Sequence, residues 1–153
     1  MLTVETASAL AAYAGQVMGH SGWRRITQEM ITQFAELTGD DHWIHVDVER
    51  AARDMPGGKT IAHGLLMVSL IPRLQREIYT ITARGKGLNY GYDRIRFTAP
   101  VPVDSNIRLR QTLIEATPHK AGTRIVTEAE IEIEGKDRAA LVARNILLIE
   151  DPA

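Results

Sequence analysis

From Ile61 to Ile71 the chain is apolar at nearly every position, and the bias continues through Leu74 and Ile78. A helix drawn through Thr60–Tyr79 carries Ile61, Ala62, Leu65, Leu66, Met67, Val68, Leu70, Ile71, Leu74 and Ile78 around its circumference rather than along one stripe. A helix without a polar face is buried on most sides. A bilayer could also bury it, but a span takes about 20 apolar residues. This run is shorter and holds His63, Gly64 and Ser69. The pattern predicts one central helix, with Pro72 kinking it or marking a tight neighbour.

The second half of the chain supplies a cover for that helix. Arg124–Glu134 alternates strictly, with Ile125, Ala129, Ile131 and Ile133 on one face and Arg124, Glu128, Glu130, Glu132 and Glu134 on the other. That is the period of a half-buried antiparallel strand. Ser105–Ala116 alternates through Ile107, Leu109 and Leu113, and Tyr90–Thr98 is a further strand ended by Pro100 and Pro102. Gly135-Lys-Asp137 turns a hairpin into Arg138–Ile149, whose apolar residues fall on both faces. Antiparallel strands following one all-apolar helix imply an α+β fold with the sheet wrapped around the helix.

Ahead of the central helix the pattern is helical. Ala-rich Val4–Tyr13 predicts a short helix ending at Gly15. Ile26–Thr38 predicts a stronger one, with Thr27 as cap, Met30, Ile31, Phe34 and Leu37 at helical spacing, and Gly39 at C′. Asp47 can cap a further short helix through Arg53, and Met55–Lys59 must be a loop. No linker, repeat or low-complexity stretch divides residues 1–153, so one domain is expected.

Composition narrows the chemistry. With 18 basic and 19 acidic side chains the formal charge is −1, against the basic surface that nucleic-acid binding requires. No cysteine is present, which removes disulfides, thiolate metal sites and thiol nucleophiles. No basic segment leading into an apolar stretch opens the chain, so a cytoplasmic protein with neither nucleic-acid nor membrane partner is expected.

The polar residues that resist a structural explanation crowd into Thr38-Gly-Asp-Asp-His-Trp-Ile-His-Val-Asp47. This stretch follows a helix end, so it is a loop with two acids and two imidazoles. Asp40 and His45 are five apart, close enough for a loop to converge them on one water. A carboxylate and a neutral imidazole are the usual pair for moving a proton near pH 7. Ala62-His63-Gly64 opens the central helix, where unpaired N–H groups and the positive dipole end meet. Glycine there lets a ligand oxygen approach the backbone closely, as an enolate-like oxygen from a thioester would need. His42-x-x-His45 with Asp40, Asp47 and His63 has the residue types of a metal site. No helical ligand register is evident, and no metal is expected.

Phe34-Ala-Glu-Leu-Thr-Gly-Asp40-Asp-His-Trp-Ile-His45-Val-Asp47, followed by Ile61-Ala-His63-Gly64-Leu-Leu, resembles the hydratase motif of the MaoC-like (R)-specific enoyl-CoA hydratases. Asn89-Tyr-Gly and Arg96-Phe-Thr-Ala-Pro-Val-Pro-Val-Asp-Ser105 resemble the strand and turn of its single-hot-dog, NodN-like branch. The resemblance spans nearly the whole chain and implies the hot-dog fold, a curved antiparallel sheet around one long buried helix. It implies that Asp40 and His45 hold and deprotonate the water added to C3 of a trans-2-enoyl-CoA, with the Gly64 N–H binding the thioester oxygen. The product would be an (R)-3-hydroxyacyl thioester. It further implies no cofactor beyond the coenzyme A thioester substrate, acyl carrier protein as an alternative carrier, and a homodimer with sites near the interface. Two positions depart from the family pattern: His42-Trp43 stands where Asn-Pro is often found, and Pro72 falls where some members carry a helix serine.

His63 and His42 are expected to support the pair, and Trp43, Leu65 and Tyr90 to lie near the acyl pocket. Asp47 is expected to cap, and Arg94, Arg96, Arg108 and Arg110 to cover solvent faces of strands, with one or two free to meet phosphates. A hot-dog thioesterase and a non-catalytic acyl-thioester binding module are the rival readings.

Overall fold

The computed structural model describes residues 1–152. A short strand β1 (Leu2–Val4) leads to a 3-10 turn (Ser8–Tyr13), β2 (Val17–His20) and β3 (Arg24–Arg25). Three helices follow, α1 (Gln28–Thr38), α2 (Trp43–Val46) and α3 (Val48–Asp54), then the central helix α4 (Gly64–Gln75). The remainder is β4 (Tyr79–Ile81), β5 (Gly87–Phe97), β6 (Asn106–His119), β7 (Gly122–Ile133) and β8 (Leu141–Ile149).

Strands β2, β6, β7, β8 and β5 lie side by side in that order, with β3 also on β6, and every pairing in this sheet is antiparallel. α4 packs on β6 and β8. Leu66, Met67, Ile71 and Leu74 of the helix join Ile107, Leu109, Leu113, Ile125, Ile131 and Leu141 of the sheet in one core. Burying each such side chain contributes about 1.5–3 kcal/mol. On the opposite face, Arg108 meets Glu132 at 2.6 Å, Arg110 meets Glu130 at 3.1 Å, and Arg94 and Arg144 both meet Glu128 at 3.3 Å. Arg94, Arg108 and Arg110 are thus tied to glutamates, while Arg96 has no carboxylate partner among the described residues.

Local signals hold where they are self-contained. The Thr27 hydroxyl accepts the Met30 N–H, Gly39 closes α1 at φ 77°, and the Asp47 carboxylate caps α3 by accepting the Arg50 N–H at 2.9 Å. Two expectations change. Val4–Tyr13 is no α-helix: its first residue ends β1, which pairs in parallel with β4, residues 5–7 bend, and Ser8–Tyr13 is the 3-10 turn. The central helix is shorter than Thr60–Tyr79, because the Ala62 N–H donates to Val101 and the Val103 N–H to Thr60, holding the entry extended until Gly64. It also has a solvent face, through Leu65, Ser69, Pro72 and Arg76. Pro72 is tolerated on that exposed face.

Candidate active site

His45 sits on the single helical turn α2, whose N-cap is His42: its Nδ1 accepts the Ile44 N–H at 3.5 Å. Gln28 at the head of α1 fixes this turn from behind. Its Nε2–H donates to the His45 carbonyl at 2.8 Å, and its Oε1 accepts from the buried Thr60 hydroxyl at 2.5 Å. The buried His45 ring donates its Nδ1–H to the Ile61 carbonyl at 2.7 Å. That bond assigns the tautomer and leaves Nε2 as a lone pair. Burial lowers the His45 pKa, helped by the His63 imidazole and opposed by the Ile61 hydrogen bond and the Asp40 carboxylate. The neutral form is therefore favoured near pH 7.

His63 is the residue before α4 and is almost fully buried. Its Nε2–H donates to the Asp40 carbonyl at 2.8 Å, which anchors the far end of the loop. Phe34 packs a tilted ring 4.9 Å away, and the His45 ring stacks at 3.8 Å. Donor atoms of Asp40, His45 and His63 lie within 4.8 Å of one another. They do not converge as metal ligands. Rings stacked at 3.8 Å and inclined by 23° have no common in-plane point about 2.0–2.1 Å from both free nitrogens.

Gly64 is the first residue of α4, so its N–H has no carbonyl one turn earlier. It faces a cavity of about 420 Å³ that also takes in Asp40, His45, Leu65, Phe97 and Ala140. A Cβ at Gly64 would lie 2.7 Å from the Phe97 ring, so glycine is what lets that wall close on the helix terminus. The cavity therefore presents a carboxylate, an imidazole lone pair and a free amide donor on the positive end of a helix dipole.

Of the residues singled out in the sequence, Asp40, His45, His63, Gly64 and Leu65 meet at this cavity. His42 caps α2, Trp43 is half-buried under the Arg50 guanidinium at 4.2 Å, and Tyr90 is exposed on β5; none of the three lines the cavity. Phe97, Ala140 and Gln28 were not anticipated as parts of the site. Phe97 ends β5 and Ala140 lies just before β8, both far along the chain, and only the Arg96–Ser105 resemblance hinted at the Phe97 segment.

Residues 9–136 match the family model described as "MaoC like domain", and the chain belongs to that family. Over 148 residues it is 44% identical to 3-hydroxyacyl-thioester dehydratase Z of Mycobacterium tuberculosis, covering 96% of this chain and 97% of the relative. It is 42% identical to nodulation protein N of Rhizobium leguminosarum bv. viciae, covering 90% and 88%. Among solved structures, the unliganded R-hydratase PhaJ1 of Pseudomonas aeruginosa superposes with a TM-score of 0.74 at 21% identity, over 97% of this chain and 88% of that one. The sheet around α4 is thus a hot-dog fold.

Proposed function

We propose that this protein is an (R)-specific enoyl-CoA hydratase, equally a 3-hydroxyacyl-thioester dehydratase, a hydro-lyase that adds water reversibly to a trans-2-enoyl thioester. The observation that carries the reading is the hydrogen bond that His45 Nδ1–H donates to the Ile61 carbonyl, which leaves Nε2 a lone pair, not a proton, on a ring that shares its cavity with Asp40 and Gly64. An ionised carboxylate and a neutral imidazole nitrogen are both acceptors. A water donating one O–H to each keeps an oxygen lone pair for C3 of the enoyl group.

As the C3–O bond forms, one member of the pair takes a proton from the water. The C2=C3 electrons move toward the thioester carbonyl, whose oxygen is held by the Gly64 N–H. Return of a proton to C2 on the same face completes syn addition. Asp40 is assigned as base and His45 as the orienting partner. Carboxylate, imidazole and backbone suffice, so neither cofactor nor metal enters the scheme.

Residues 1–153 act in this reading as one domain, placed in the cytoplasm; among the described residues no helix is long and apolar enough to cross a membrane. The acyl carrier is coenzyme A. A homodimer is assigned from β5, whose eleven residues form an open sheet edge with Leu88, Tyr90 and Phe97 exposed. Long exposed edges of this kind are covered in stable proteins, and an isologous pairing of two copies covers both at once.

The test is to mix protein with crotonyl-CoA and follow enoyl absorbance and free thiol together. Enoyl loss without thiol is the expected result. Thiol release makes the protein a thioesterase, and absence of both leaves a binding module.

A further inference from the structure

A second cavity, also about 420 Å³, lies further along α4 between the helix and β5 and β8. It is within the usual range of small-molecule sites. Its walls include Ile71, Leu147 and Ile149, but its polar groups are unusual for a core. Tyr79 and Tyr92 line it, and both hydroxyls are enclosed without a hydrogen-bond partner. Tyr79 is only 6% exposed, and a buried hydroxyl left unpaired costs about 1–3 kcal/mol.

Two of the lining amides already engage their carbonyl oxygens. Asn89 Oδ1 takes the Asn145 Nδ2–H at 2.9 Å, and Gln75 Oε1 takes the Gln111 Nε2–H at 2.9 Å. Asn89 and Gln75 therefore keep their NH₂ groups for whatever enters. At the rim, Arg76 and Arg84 have no carboxylate partner among the described residues; Arg84 donates only to the Gly85 carbonyl. Gly87 makes room for Arg84, since a Cβ there would stand 2.5 Å from its guanidinium. No carboxylate side chain lines the cavity, and Glu150 just outside it is turned to the Lys86 N–H. Two phenols, two amides and two guanidiniums thus offer donors, with aliphatic walls between them.

We propose that this cavity binds a carboxylate carried on an aliphatic stem. Arg suits such a group through paired donors. Both cavities are lined by α4 and β5, the catalytic one at the Gly64 end of the helix and this one at its Gln75 end. From Gly64 to Pro72 is eight residues, about 12 Å of helix. An acyl chain whose thioester oxygen sits on Gly64 can therefore lay its far end among these donors. This identifies the stem as the acyl chain and the substrate as one ending in a carboxylate, and that part rests on the hydratase reading. A free fatty carboxylate offers the same chemistry.

The test compares trans-2-dodecenedioyl-CoA, long enough to span that distance, with its ω-methyl ester, with crotonyl-CoA as baseline, and titrates hexanoate by calorimetry. The wild type is expected to prefer the free acid by about tenfold in kcat/KM, the scale of a charge-assisted contact. The Arg76→Gln/Arg84→Gln protein should bring the ratio toward one, and Tyr92→Phe should lower it in part. If the thioesters show no preference but hexanoate binds wild type and not the double variant, the occupant is a free carboxylate. Equal rates for acid and ester together with no hexanoate binding overturn the proposal. If crotonyl-CoA is not hydrated, the hydratase reading fails, and hexanoate binding, present or absent, decides the cavity alone.

Discussion

The imidazoles of His45 and His63 lie face to face, ring centroids 3.8 Å apart, and each gives one N–H to a backbone carbonyl, His45 to Ile61 and His63 to Asp40. The two bonds run in opposite senses across the site: one orients the reacting ring, the other pins the loop that carries its carboxylate partner.

Asp40→Asn and His45→Ala should each lower kcat for crotonyl-CoA hydration by about 10²–10⁴-fold, the usual contribution of a positioned acid or base. Asp40 is exposed, so circular dichroism and Tm of the Asn variant should match wild type. Near wild-type turnover in either variant would remove the pair from the mechanism.

His63 should behave as a positioning residue. His63→Phe keeps the stacked shape and loses the donor to the Asp40 carbonyl. A decrease of about tenfold in kcat is expected, the scale of one hydrogen bond. His63→Gln, whose amide can again donate, should recover part of it. Equal defects in the two variants would point to packing alone.

The pH profile follows from burial of His45, which lowers its pKa from the ordinary value near 6.5. The proposed reaction uses neutral His45, so kcat/KM should hold down to pH 6.5 and fall only below it. Stability has the same sign. Below pH 6.5 the unfolded chain takes a proton that the folded chain resists, so Tm should decline as pH drops through that range. A His45→Gln protein should lose that component of the slope.

Gly64→Ala places a methyl group against the Phe97 ring and beside the N–H proposed to hold the thioester oxygen. Loss of one such donor costs roughly 10²–10³ in kcat. Gly64→Ala/Phe97→Ala separates the two causes: recovery means that crowding was the fault, and no recovery means the amide itself is shielded.

Light scattering should report a mass of twice 17.0 kDa. Replacing the exposed Leu88 and Tyr90 of the open edge with glutamate should shift it toward the monomer, since like charges would face each other across a symmetric seam. An unshifted dimer would move the interface off β5.

The hot-dog fold was legible because each of its parts announces itself locally. The helix caps at Thr27 and Asp47, the turn at Gly39 and the alternation of β7 are set by atoms within a few residues of one another. So is the clustering of acids and imidazoles between Asp40 and His45, although His42 also serves there as the cap of α2. The limits of the central helix were not legible, because Thr60–His63 is held extended by Val101 and Val103, about forty residues away. Hydropathy alone cannot tell a helix entry from a helix turn when both are buried.

What the sequence by itself determined is therefore the chemistry available: a carboxylate, imidazoles and a glycine amide, with no thiol. It also determined that a stretch after α1 and the entry of the central helix carry them, though not that His45 sits on the helical turn α2. Only the tertiary structure decided which imidazole nitrogen is free, that Phe97 closes the wall over Gly64, and that Tyr79, Tyr92, Gln75 and Asn89 share a second cavity. Those facts depend on carbonyls and side chains brought together across the order β2-β6-β7-β8-β5. Strand order follows from how the whole core is buried, and no local spacing encodes it.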